Sequence, residues 1–211
     1  RHLLCGAEGT LGIVTAASLR LVPATAARQT AWIGLDSPAT ALVLLRRLDA
    51  AIGSALEGFE IIPRNCVEAV LRHIPQTRDP LADRYPWYAL VELAGDQHDA
   101  LAADLETELA AAIDAGLVGD VAIAKNDSES EDFWRLRDSI SEAERAEGPA
   151  LQHDVSVPVD LMPRFIAENP ARLEAAFPGL RALSFGHLGD GNIHHHVQPP
   201  ADVDGKAWLT A

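Results

Sequence analysis

With 211 residues, 48% of them hydrophobic and 23% charged, the sequence has the make-up of a globular protein with ample core. Its net charge of −14 argues against an electrostatic nucleic-acid footprint and against a hold on anionic membranes. No apolar run approaches a membrane span, no signal peptide opens the chain, and Cys5 and Cys66 are too few for a disulfide framework, which favours a reducing cytoplasm.

The opening Gly6-Ala7-Glu8-Gly9-Thr10-Leu11-Gly12 is a glycine-punctuated loop, and Ile13 to Val22 alternates as a strand would. Small residues let a backbone approach a ligand, and their amides can bind phosphate oxygens. A plain turn before a strand accounts for the pattern as well. Residues 28 to 125 then alternate between strands and helices. Thr30 to Leu35 is strand-like, and Ser37 caps a helix from Pro38 to Ile52. Leu56 to Ile62 is a strand, Pro63 opens a short helix to about His73, and Trp87 to Leu93 is another strand. A helix from His98 to Ala115 and a strand from Val118 to Ala124 close the set. Without the extra helix the order is β-α-β-β-α-β, the split arrangement of a ferredoxin-like unit. It predicts an α+β fold with an antiparallel sheet and helices on one face.

Ser128 to Glu147 reads as one acidic helix with Phe133, Leu136 and Ile140 as its buried stripe. Trp134, Arg137 and Ser141 share another face, either a solvated one or a pocket wall. His153 to Val157, Asp160 to Ala175, Leu183 to Phe185 and Ile193 to Val197 give β-α-β-β again, a second unit cut short. The start at Arg1, the single Met162 and the close at Trp208-Leu209-Thr210-Ala211 read as a piece of a longer protein.

Half of the eight histidines fall within Gly186-His187-Leu188-Gly189-Asp190-Gly191-Asn192-Ile193-His194-His195-His196. The Gly-Asp-Gly-Asn turn would let two neighbouring strands carry imidazoles to one spot, and neutral imidazole is the commonest nitrogen ligand of zinc and similar metals. A polar turn with surface histidines is the competing reading. Asp190 could orient an imidazole or serve as a turn residue. Both cysteines read as small buried apolar groups.

Three segments together resemble the FAD-linked oxidases of the vanillyl-alcohol-oxidase type, in the branch of D-2-hydroxyglutarate, D-lactate and glycolate dehydrogenases. They are Gly6-Ala7-Glu8-Gly9-Thr10-Leu11-Gly12-Ile13-Val14-Thr15, Asp154-Val155-Ser156-Val157-Pro158 and Gly186-His187-Leu188-Gly189-Asp190-Gly191-Asn192-Ile193-His194. The resemblance implies that residues 1 to 24 end an FAD-binding domain and that 25 to 211 form most of a substrate (cap) domain. It implies FAD contacts from Glu8, Gly9, Thr10, Gly12 and Ile13, and a divalent metal, zinc or manganese, on His187 and His194. It also implies a substrate carboxylate on Arg137, with the Ser141 hydroxyl in the same pocket. Two positions depart from the pattern. Gln152 stands where the family often has a carboxylate-binding Lys, and His196 where the hydroxyglutarate enzymes have a substrate-contacting Asn. The family's Glu-His-Gly segment, with a further metal ligand and the acid/base histidine, would follow residue 211.

The activity so implied is oxidation of a D-2-hydroxy acid to the 2-oxo acid, with electrons passing through FAD to an acceptor protein or quinone. The resemblance allows a homodimer. The 211 residues alone are expected to be inactive. Two other readings compete: a non-catalytic ferredoxin-like module that binds a metal or small acid, and a metal-dependent hydrolase. The second leaves residues 6 to 13 without a role.

Overall fold

The computed structural model describes residues 3–7, 9–21, 24–200, 203–208 and 210, the side chain of Lys206 apart. From Ala27 onward strands and helices alternate: β1 (Ala27–Leu35), α1 (Pro38–Ile52), β2 (Leu56–Pro63), α2 (Arg64–His73), β3 (Trp87–Gly95), α3 (His98–Asp114) and β4 (Asp120–Ile123). There follow α4 (Asp127–Asp138), α5 (Ile140–Glu147), β5 (Leu151–Ser156), α6 (Met162–Ala176), β6 (Arg181–His187), β7 (Asn192–Gln198) and α7 (Gly205–Trp208). The Ser37 hydroxyl accepts from Thr40 N at 3.1 Å to start α1 with Pro38 in its first turn, and Asn126 does the same for α4 through Glu129 N at 3.0 Å.

Among the described residues the strands form one antiparallel sheet in the order β4-β1-β3-β2-β6-β7-β5. Its first part, β4-β1-β3-β2, is the strand order of a ferredoxin-like unit, and β5, β7 and β6 repeat three strands of that order. The units meet edge to edge where β2 pairs with β6, through Glu60 opposite His187 and Ile61 opposite Gly186. The expected α+β antiparallel architecture is therefore present.

Because side chains alternate across a strand, each strand feeds two cores. Ala31, Ile33, Phe59, Ile61, Val91 and Ile193 pack under α1, α3 and α6, the helices of the two units. Trp32, Ile62, Tyr88, Leu90 and Phe185 pack under α2, α4 and α5 on the opposite face. Each fully buried Leu, Ile or Phe contributes roughly 1.5–3 kcal/mol through removal from water.

Two local expectations fail. The segment read as one helix from Ser128 to Glu147 breaks at Ser139, and α5 restarts with Ile140, Ala143 and Glu144 buried. The apolar spacing runs through the junction, and no glycine or proline marks it. Residues 13–21 form no strand; Ile13, Val14, Leu19 and Leu21 are exposed, with no neighbouring ladder to pair with. Cys66 is buried as expected, whereas Cys5 is exposed.

Candidate functional site

The candidate residues gather at the seam between the two units. On the face covered by α4 and α5, β6 presents Phe185 and His187, β7 presents His194 and His196, and β5 presents Gln152 and Asp154. The register sets them in cross-strand rungs: Phe185–His194–Asp154 and Leu183–His196–Gln152. Two glycines make the turn geometry. Gly186 has φ +149, and a Cβ there would lie 2.6 Å from Asn192 O; Gly191 has φ +82, and a Cβ there would lie 2.2 Å from Val157 O.

Arg137, near the end of α4, reaches down onto this face. Its NH2 atom lies 3.3 Å from His187 Nε2 and 3.3 Å from His194 Nε2, so both imidazoles point at one place. The two Nδ1 atoms face away, His187 Nδ1 onto Glu60 Oε1 and His194 Nδ1 onto Asp154 Oδ1. A carboxylate only accepts and a guanidinium only donates, so each Nδ1 carries the hydrogen and each Nε2 turns its lone pair to Arg137. Glu60, 3% exposed, binds Arg137 as well, accepting from Nε through Oε2 at 3.0 Å. Burial holds His194 below its ordinary pKa; Asp154 pulls it back up, while Arg137 and His187 lower it further. It is a neutral acceptor at neutral pH.

The Phe185 ring supports the group from beneath. It lies 5.0 Å from the His194 ring, 5.5 Å from the His196 ring, and 5.9 Å from the Arg137 guanidinium carbon. Beside His187 opens a cavity of about 640 Å³, lined by Glu60, Glu92, Trp134 and Asp190 among others. Trp134 Nε1 donates to Glu92 Oε2 at 2.8 Å, which fixes the indole as one wall.

His196, one rung along, is 5% exposed, and its Nδ1 lies 2.5 Å from Oε2 of Glu144, itself 2% exposed. Gln152 Nε2 donates to the same oxygen at 3.3 Å. Among the described residues Glu144 Oε1 has no hydrogen-bond partner. His195 points to the other face, between the Ser184 hydroxyl at 2.8 Å and the Asn169 side-chain nitrogen at 3.0 Å. Burial, with His153 and His196 nearby, lowers its pKa. It is a core histidine.

The residues singled out in the sequence thus divide. Arg137, His187 and His194 converge, and Gln152 and His196 meet through Glu144. Ser141 stands half-buried in the first turn of α5, close after Arg137 in the chain. Gly9, Thr10, Gly12 and Ile13 lie exposed, with Thr10 bonding back to Ala7 O at 2.6 Å; Glu8 lies outside the described residues. No hydrogen bond among the described residues ties this loop to the histidines. Asp190 is a turn residue, accepting from Asn192 N at 2.9 Å. The carboxylates that orient the imidazoles are Glu60 and Asp154. Glu60 left one sequence signal, a lone charge inside the apolar run Phe59-Glu60-Ile61-Ile62. Among the described residues no group of three or more His, Cys, Asp or Glu side chains is disposed to hold a metal ion.

Residues 24–207 match the model of the FAD linked oxidases, C-terminal domain. The chain belongs to this family. Among curated relatives, it is 37% identical over 212 residues to a D-2-hydroxyglutarate dehydrogenase of Xanthomonas citri, covering 100% of this chain and 43% of the relative. It is 31% identical over 197 residues to the mitochondrial D-2-hydroxyglutarate dehydrogenase of Arabidopsis thaliana, covering 93% of this chain and 35% of the relative. The chain therefore spans less than half the length of either. Its fold matches an alkyldihydroxyacetonephosphate synthase at TM-score 0.58 and 11% identity, over 99% of this chain and 43% of that one. It matches a p-cresol methylhydroxylase at TM-score 0.56 and 10% identity, over 83% and 39%.

Proposed function

We propose that this chain is the substrate-side part of a flavin-dependent oxidoreductase that converts a D-2-hydroxy acid to the 2-oxo acid. The carrying observation is the convergence of His187 Nε2 and His194 Nε2 on Arg137 NH2, with both Nδ1 atoms tied to carboxylates. Membership of the FAD linked oxidases and the names of the dehydrogenase relatives support the same reading. Residues 1–24 would belong to the flavin domain. Leu11, Ile13, Val14, Leu19 and Leu21 are exposed there, apolar surface that calls for a covering partner. Residues 25–211 would form the cap.

The donor chemistry fits the two groups the family implies. Two neutral imidazole lone pairs aimed at one point, each ring held from behind by a carboxylate, are half of a divalent-metal site. His187 and His194 would hold zinc or manganese. The glycines of the opening loop adopt positive φ, +78 at Gly9 and +154 at Gly12, with open space around them, as a backbone cradle for FAD requires. When bound, FAD supplies the hydride acceptor, and the divalent ion supplies charge that steadies an alkoxide at C2.

The chain's own residues do the positioning. Arg137 pairs the substrate carboxylate through its planar fork, and Ser141 adds a hydroxyl one turn on. Glu60 locks Arg137 and His187 in one orientation, which fixes the acid before chemistry begins. Trp134 walls the neighbouring cavity, and Phe185 supports Arg137 and His194 from beneath. Electrons leave to a protein or quinone acceptor. The free cysteines fit a reducing compartment, cytoplasmic or, as for the Arabidopsis relative, mitochondrial.

The test is anaerobic flavin bleaching in the complete flavoprotein. D-2-hydroxy acids should bleach the flavin and their L-enantiomers should not. The 211 residues alone should give no turnover. Metal analysis of His187→Ala should show lost zinc or manganese; unchanged metal content sinks the metal assignment.

A further inference from the structure

The rung beyond His194 bears on which acid the site would take. A 2-hydroxy dicarboxylate carries two negative charges, and each needs a cation or several donors. With the proposed divalent ion given over to the C2 oxygen, the described residues at the histidine seam offer one further cation, Arg137, already opposed by Glu60 and, at 3.6 Å, by Asp138. The next rung holds Gln152, His196 and behind them Glu144, whose buried carboxylate takes both available donors on a single oxygen. The His194 and His196 rings are 6.3 Å apart, so a second carboxylate reaching this rung would sit against Glu144 with no fixed positive charge to meet it. The other direction is no better. The cavity beside His187 is lined by Asp49, Glu57, Glu60, Glu92 and Asp190, and its single Lys or Arg, Arg46, is paired with Asp160.

We propose that Glu144, holding His196 and Gln152, makes the site selective for 2-hydroxy acids with one carboxylate and hostile to a second. This deepens the hydroxy-acid reading and rests on it. Glu144 acts as a positioning and charge-setting residue; it occupies both the Gln152 amide and the His196 Nδ1–H, the groups that would otherwise turn to a distal carboxylate.

The experiment compares D-2-hydroxyglutarate with D-2-hydroxyglutaramate, the same chain ending in an uncharged amide, together with D-lactate. Anaerobic flavin reduction is followed in the complete flavoprotein. Because the two five-carbon substrates match in size, their ratio reads charge alone. The amide should exceed the diacid in kcat/KM by roughly 10- to 100-fold, the value of one charge-assisted hydrogen bond, with most of the difference in KM. Glu144→Gln should narrow that ratio about 10-fold, and Glu144→Gln with Gln152→Lys should reverse it. Gln152 lies on the exposed edge strand, so Gln152→Lys alone should fold and still shift the ratio toward the diacid. Equal or faster reduction by D-2-hydroxyglutarate in the wild type overturns the selectivity while leaving hydroxy-acid oxidation standing. An unchanged ratio in all three variants overturns the assignment to these residues. Reduction by no 2-hydroxy acid overturns both readings.

Discussion

Glu60 Oε2 accepts from Arg137 Nε at 3.0 Å while its other oxygen holds His187 Nδ1, so one buried carboxylate on β2 sets two side chains from α4 and β6. This contact crosses the seam where the two half-sheets join. In Glu60→Gln the amide keeps the volume but has only one acceptor oxygen, so one partner is lost and the amide NH₂ faces a donor. Zinc affinity, measured by equilibrium dialysis of the complete flavoprotein, should fall roughly 10- to 100-fold, the usual cost of losing an orienting partner. Unchanged affinity would mean that Glu60 does not orient His187.

Arg137→Lys should be far from conservative. The guanidinium serves Glu60 through Nε and two imidazoles through NH2, and it lies over Phe185. A single ammonium cannot cover those directions and still present a fork to a carboxylate. KM for the hydroxy acid should rise roughly 10- to 100-fold, the worth of about 1.5–3 kcal/mol of charge-assisted hydrogen bonding. The thermal midpoint should move little beside that. A KM within twofold of wild type would remove Arg137 from carboxylate binding.

The architecture was legible in the sequence because periodicity changes cleanly between elements, and residues such as Pro63, Gly95 and Gly179 punctuate them. Split β-α-β units dictate the strand order, and that order brings Glu60 beside His187. The convergence of His187 and His194 could be anticipated from a glycine-rich turn between two strands. What could not be read were partners from distant segments. Glu60 lies 127 residues from His187, and Glu144 lies 52 from His196; no spacing rule links them. The break at Ser139 was hidden for a different reason. Helical spacing persists across it, and Glu144 is buried in the helix that restarts beyond it.

Gly191 and Gly189 make a matched pair for testing the turn. Gly191 has φ +82, and an added Cβ would come within 2.2 Å of the Val157 carbonyl oxygen, a backbone atom whose residue also donates to Gly191 O at 3.0 Å. Gly189 has open space within 4 Å. Gly191→Ala should cost about 1–3 kcal/mol or more, since strained backbone and collision add. Gly189→Ala should stay within about 0.5 kcal/mol. Urea midpoints of the two variants check this. Equal midpoints would show that the close approach of β7's turn to Val157 is not a constraint on folding.

Cys66 offers the pH-dependent test. Burial in the α2–α5 interface pushes its thiol up, and the Glu144 and Glu147 carboxylates push in the same direction. A raised folded value means the native state keeps a proton that the unfolded chain releases above roughly pH 8.5. The contribution is therefore fully present below that pH and is lost as pH rises, at up to about 1.4 kcal/mol per pH unit. Urea midpoints taken through the alkaline range should fall more steeply for wild type than for Cys66→Ala, whatever the variant's absolute stability. Iodoacetamide should modify only the exposed Cys5 in the native chain and both cysteines in urea. Rapid native labelling of Cys66 would mean that α2 and α5 separate readily, and with them the burial of Glu144 on which the charge of the site depends.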